Sequence, residues 1–152
     1  MSGVELHAPL PGTFLSITDV PDPVFAEGIV GPGFAISPEA TPDMTVVAPI
    51  CGTIAKIHPH AFVIKGGSCA VLVHLGLDTV TLKGEGFDVL AGEGDAVSAG
   101  DALIRWNPVD IVERGLHPIC PVVFLEGGDT VTYAVEPGTA IERGQVLTVS
   151  HD

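Results

Sequence analysis

Positive charge is what this chain most lacks. Six Lys and Arg stand against nineteen Asp and Glu, a formal net charge of −13, and neither Lys nor Arg occurs before Lys56. Nucleic acid and anionic membrane are poor partners for such a chain, because binding to them runs on phosphate neutralisation; a basic protein face would be drawn in instead. The same scarcity removes the basic n-region of a secretory signal, and no apolar run approaches the roughly 18 residues that a membrane span needs. The expected location is the cytosol, without direct membrane insertion. Cysteine is scarce too. Cys51, Cys69 and Cys120 make an odd number without metal-ligand spacing, which points to free thiols in a reducing compartment. None of them reads as a nucleophile.

Glycine and apolar residues are plentiful. A hydrophobic fraction of 46% with 16% charged residues argues against disorder, and 19 Gly with 13 Pro argue for many turns. The 152 residues suit one domain, 1–152, large enough for a real core. Short apolar segments broken by Gly and Pro predict an all-β fold. Two internal repeats support it. Ala8-Pro-Leu-Pro-Gly-Thr-Phe14 recurs as Ala48-Pro-Ile-Cys-Gly-Thr-Ile54, and Gly94 to Leu103 recurs as Gly138 to Leu147. The expectation is a duplicated antiparallel β-sandwich or flattened barrel with one or two short peripheral helices. The clearest helix runs from Asn107 to Arg114, with Asn107 as N-cap, Pro108 at the first helical position and Gly115 just beyond the end.

Two histidines stand inside strand-like apolar runs, His60 in HAFVI (His60 to Ile64) and His74 in VLVHLGLDTV (Val71 to Val80). The breaker Gly66-Gly67-Ser68 folds these runs into neighbouring antiparallel strands. A turn of three or five residues would set His60 directly opposite His74, close enough for two imidazoles to share one ligand, one metal ion or one phosphoryl group. Parity puts Val71, Val73 and Leu75 on one face of the second strand and Leu72 and His74 on the other. Gly76 is expected to leave room beside the imidazole for a bulky ligand or partner. Asp78 follows two positions later.

The strings VPDPVFAEGIVGPGFAISP (Val20 to Pro38), VVAPICGTIAKI (Val46 to Ile57), HAF (His60 to Phe62), VLVHLGLDTV, LKGEGF (Leu82 to Phe87) and EGDAVSAGDAL (Glu93 to Leu103) occur in this order over nearly the whole chain. Together they resemble the glucose-type enzyme IIA of the bacterial phosphoenolpyruvate-dependent sugar phosphotransferase system. The resemblance implies a phosphotransferase component that receives a phosphoryl group from phospho-HPr and passes it to a cysteine of an enzyme IIB domain. By motif position His74 would carry the group and His60 would support transfer without carrying it. The resemblance also implies a shallow apolar docking surface with Val24, Phe25, Val30, Leu72 and Val80, rimmed by Asp22 and Asp78. No cofactor is expected beyond the transient phosphoryl group, and regulatory protein partners fit the same picture.

Some features depart from the family or suggest other chemistry. Ile57-His58-Pro59-His60 brings an extra histidine beside the site, and Thr81 stands where familiar relatives carry a carboxylate. The chain begins a few residues before its first expected strand, so a membrane-binding N-terminal tail is not carried over. His58, His60, His74 and Asp78 imitate a zinc-hydrolase ligand set, in the reverse order to known peptidases on a related scaffold. No metal is required on the main reading, although His60 and His74 could pick up adventitious or regulatory zinc. The repeated Gly-Asp-x-Val-x-x-Gly pattern also resembles biotinyl or lipoyl carrier domains, for which Lys65 is the candidate attachment site.

Overall fold

The computed structural model describes residues 4–127 and 131–150. Their strands are β1 (Glu5–His7), β2 (Gly12–Ser16), β3 (Gly33–Pro38), β4 (Met44–Val47), β5 (Gly52–His58), β6 (Ala61–Gly66) and β7 (Cys69–His74), followed by β8 (Phe87–Val89), β9 (Ala96–Val97), β10 (Ala102–Trp106), β11 (Cys120–Glu126), β12 (Val131–Tyr133), β13 (Ala140–Ile141) and β14 (Val146–Ser150). Two short helices accompany them, α1 (Pro23–Ala26) and α2 (Pro108–Glu113). The fold is all-β and antiparallel, as expected. The predicted helix after Asn107 is α2, capped as the sequence suggests by Asn107 Oδ1, which accepts from the Asp110 amide at 2.9 Å. Among the described residues no helix is long and apolar enough to cross a membrane.

The duplication is visible in the strand order. One sheet runs β13-β2-β3-β11-β7-β6-β5-β9, and two smaller ones run β1-β14-β12 and β4-β10-β8. Exchanging β2 with β5, β3 with β6, β7 with β11 and β9 with β13 maps the large sheet onto itself. Exchanging β1 with β4, β8 with β12 and β10 with β14 swaps the two small sheets. The pseudo-twofold axis passes between β7 and β11, whose register pairs Val73 with Val122. The repeats seen in the sequence lead into β2 and β5, and into β9–β10 and β13–β14. Sheets open at their ends make this a sandwich rather than a closed barrel.

Alternation along the central strands divides the apolar residues into two clusters. Phe34, Ile36, Val71, Val73, Val122 and Phe124 point inward and pack with Leu6, Val46, Ile104 and Leu147 of the smaller sheets. Their neighbours Ala35, Val123 and Leu72 point the other way. There they meet Val20, Phe25, Ile17 and Val30 from residues 17–32, the connection between β2 and β3. In the other half the equivalent connection is only the turn Pro59-His60, since His58 pairs directly with Ala61. Residues 17–32 therefore break the pseudo-symmetry and give the large sheet an outer core on one side. His74 lies on that outer face.

The glycine shared by the two Pro-x-x-Gly-Thr repeats has a steric cause. A Cβ on Gly12 would strike the Ser37 carbonyl oxygen, and one on Gly52 would strike that of Lys65, because the neighbouring strand crosses directly over each glycine. Gly52→Ala is expected to lower stability by about 2–3 kcal/mol through overpacking. Thr53→Ala beside it, at an exposed position, should stay within about 0.5 kcal/mol. Urea denaturation midpoints measure the difference.

Candidate functional site

His74 closes β7, on the outward face that it shares with Leu72, and is partly buried. The chain then turns at Gly76, whose φ of +77° is open to glycine at little cost. That turn aims the Gly76 carbonyl back at the imidazole, 2.6 Å from His74 Nδ1. A carbonyl only accepts, so Nδ1 carries the hydrogen, and Nε2 of the neutral ring holds the free lone pair. Gly76 thus differs from its expected role. It is buried, and a Cβ there would lie 2.8 Å from Thr79 Cγ2 and 3.1 Å from the His117 carbonyl oxygen, so the space is already filled.

Thr79, which sequence reasoning passed over, holds this turn together. It is fully buried, and its hydroxyl donates to the Leu75 carbonyl at 2.7 Å. The clue was its spacing, since Ser and Thr hydroxyls commonly bond the carbonyl four residues earlier. Asp78 adopts left-handed backbone at φ +59°, and Thr81 donates to its carbonyl from both the amide, at 3.1 Å, and the hydroxyl, at 2.7 Å. Thr81 is therefore a local clasp for the turn over Thr79–Leu82.

The hairpin register differs from the expected one. Gly66 pairs with Cys69, so Gly67-Ser68 forms a two-residue turn and Ala61, not His60, faces His74. An even turn shifts the pairing by one residue, which in a strand would send His60 to the inner face. His60 escapes that rule because it belongs to the Pro59-His60 turn. Its carbonyl accepts from the Leu75 amide at 2.7 Å, and its ring reaches His74 edge-on, with centroids 5.3 Å apart at 68°. His58 in turn neighbours His60, with centroids 5.8 Å apart at 21°. Three imidazoles therefore stand in a row.

The 17–32 connection supplies the other side. Asp22 caps α1, its Oδ1 accepting from the Val24 amide at 3.0 Å, and Phe25 packs against His74 with ring centroids 5.6 Å apart. Phe25 is 8% exposed and belongs to the outer core, so it serves as a wall for the imidazole. Val30 and Leu72 are half-buried against the same cluster. Val24 and Val80 are exposed, as is Ile29 at 70%, an apolar residue that the sequence reading overlooked.

Electrostatics separate the two central histidines. Burial is the main cause holding the His74 pKa below the ordinary imidazole value, opposed by the Gly76 hydrogen bond and by Asp22 and Asp78. His60 is also lowered, first by burial and then by His74 and His58. Burial pushes the Cys120 thiol up to about 12, which leaves it inert.

The zinc reading finds no support in this geometry. Among the described residues no group of three or more His, Cys, Asp or Glu could hold a metal ion, so His58, His60, His74 and Asp78 do not assemble as ligands. Lys65 lies within β6, paired with Ala70 and 3.3 Å from Glu126, whereas the hairpin tip is Gly67-Ser68. A lipoyl or biotinyl lysine would have to occupy the tip.

Fold and geometry describe a β-sandwich protein whose chemistry-bearing groups are imidazoles on an open sheet face. Residues 4–130 match the family described as the phosphoenolpyruvate-dependent sugar phosphotransferase system, EIIA 1, and the chain belongs to that family. It is 37% identical over 149 residues to the PTS system glucose-specific EIIA component of Staphylococcus aureus (strain COL), covering 96% of this chain and 88% of the relative. It is 39% identical over 148 residues to the protein of the same name from Halalkalibacterium halodurans, covering 95% and 84%. Among solved structures it resembles the glucose permease IIA from Mycoplasma capricolum, with TM-score 0.86, 30% identity, and coverage of 98% of this chain and 96% of that one. The enzyme IIA resemblance drawn from the sequence is borne out. The chain is a phosphotransfer component of a sugar phosphotransferase system.

Two outcomes test the geometry. Long-range proton–nitrogen NMR at pH 8 should show neutral His74 protonated at Nδ1 and bare at Nε2. Because folding lowers both pKa values, the unfolded chain binds protons more readily below the ordinary value of about 6.5. Their stabilisation is complete above that pH and is lost as pH falls through the lowered folded values. Urea midpoints should therefore drop on acidification across this window, and drop less in His74→Gln.

Proposed function

We propose that this chain relays a phosphoryl group from phospho-HPr, through Nε2 of His74, to the cysteine of an enzyme IIB domain, in support of sugar uptake and phosphorylation. The observation that carries this reading is the 2.6 Å bond that occupies Nδ1 and leaves Nε2 as the only free nucleophile of the ring. Nε2 attacks the phosphorus of phospho-HPr. A new N–P bond forms as the donor's N–P bond breaks, and the donor imidazole leaves with the electron pair. No proton has to move. Nδ1–H stays bonded to the Gly76 carbonyl while the ring becomes a phosphoimidazolium, and the cationic ring strengthens that bond.

Opposing forces on His74 then have separate uses. Burial disfavours protonation, so the resting ring is neutral and nucleophilic. Asp22 and Asp78 favour positive charge, and this also stabilises the phosphorylated ring. His60, edge-on to His74, offers an N–H to the phosphoryl oxygens, the part of such transfers that depends most on positioning. Exposed Val24, Ile29 and Val80 offer an apolar landing with Asp22 and Asp78 at its rim, suited to basic partner faces. Residues 1–152 would act as one cytosolic domain without a cofactor. Glucose, named for the relatives, is the first permease sugar to try.

Incubation with phosphoenolpyruvate, enzyme I and HPr should give one acid-labile, base-stable phosphate per chain. His74→Gln should abolish it. His60→Gln should still accept the group but pass it to enzyme IIB roughly 100-fold more slowly. Absence of label on the wild-type protein would refute the relay. Asp78→Lys should slow transfer from HPr about tenfold at low salt and less at high salt; unchanged kinetics at low salt would remove Asp78 from the interface.

A further inference from the structure

The third imidazole of the row takes no part in the relay as described. His58 ends β5, with only Pro59 separating it from His60. Alternation along a regular strand places residues two apart on one side, and here Pro59 keeps that relation through the turn. The result is a nearly parallel stack, His58 beside His60 at 21° and 5.8 Å, while His60 meets His74 at 68° and 5.3 Å. His58 is exposed and His60 half-buried, and the two rings lie side by side in nearly parallel planes.

Resting on the relay reading, we propose that His58 is a positioning residue: its ring, stacked on His60, holds the His60 imidazole edge-on to His74. The need for such a support follows from the position of His60. A turn residue lacks the same-face neighbours that order a strand side chain, and Phe25 packs against His74. His58 fills that gap. A loose donor would lose much of its use, since transfer depends on placing the donor before the phosphoryl group arrives.

The stack has an electrostatic consequence. Burial, then positive charge on His74 and on His58 5.8 Å away, disfavour a proton on His60. The surroundings do little to relieve this. β6 presents Ala61 and Phe62, which are uncharged, and β7 presents His74. On β5, Lys56 shares the parity of His58. Lys83 and Glu85 flank Gly84, where a Cβ would lie 3.2 Å from Pro59, and Glu85 is engaged by Arg114 at 3.0 Å. Asp22 and Asp78 act on His74. An arriving phosphoryl dianion reverses the balance and favours a proton on the nearer ring, His60.

The test compares the wild-type protein with His58→Phe, which keeps a stacking ring without charge, and His58→Ala, which keeps neither. In unphosphorylated protein, the NMR titration midpoint of His60 should rise in both variants. In single-turnover transfer from phospho-HPr at pH 7.5, His58→Ala should lose about five- to tenfold in rate with little change in half-saturating HPr. His58→Phe should recover most of that rate while the alkaline limb of its pH profile, where His60 loses its proton, moves upward. If the wild-type protein takes up phosphate but His60 titrates identically in all three proteins, or His58→Ala transfers at the wild-type rate, His58 has no positioning role. A wild-type protein that accepts no phosphate overturns the relay itself.

Discussion

The hydrogen bond from His74 Nδ1 to the Gly76 carbonyl joins the fold to its chemistry. It exists because the chain reverses at a residue with positive φ, and that reversal is held in turn by the buried hydroxyl of Thr79 on the Leu75 carbonyl. Only backbone and one small polar side chain are involved. A carbonyl cannot ionise or rotate away, so the ring's tautomer is fixed by main-chain geometry and does not vary with pH as it would beside a carboxylate.

Duplication supplies the scaffold and its breakdown supplies the site. Two similar halves meet at β7 and β11 and share an inner core, which accounts for the paired repeats and for the glycines where neighbouring strands cross. One half closes its hairpin with Pro59-His60. The other spends residues 17–32 on the same connection, and these cover the outer face with Val20, Phe25 and Val30. Both unlike connections reach the same sheet face from opposite sides. His74 receives an imidazole from one and a phenyl ring and a carboxylate from the other.

Much of this was legible in the sequence, and the limits have physical reasons. The parity of Val71 to His74 named the inner and outer faces correctly, because period-two alternation needs no long-range information. The order of motifs named the family. Hairpin register was less accessible, since Gly66, Gly67 and Ser68 all suit a turn and only the packed strands decide which of them form it. Helix α1 has four residues, too few for periodicity, although Asp22-Pro23 is a recognisable start. Gly76 misled because a glycine can serve empty space or tight space, and only neighbours such as Thr79 and His117 reveal which. His58 was visible as a residue, but its stacking on His60 depended on how Pro59 turned the chain.

The outer core has a kinetic consequence for the proposed relay. Phe25 packs against one side of the partly buried His74 and His60 against another, which would leave a relay at His74 little room for two partners at once. Donor and acceptor would have to come in turn, and each would block the other while bound. A long-lived complex would then stall the traffic. Throughput would be limited by how quickly partners depart, which favours small, weak, rapidly exchanging contacts over tight ones. If the exposed Val24, Ile29 and Val80 serve as the landing proposed above, a modest apolar contact combined with long-range attraction from an acidic chain would capture quickly and release quickly.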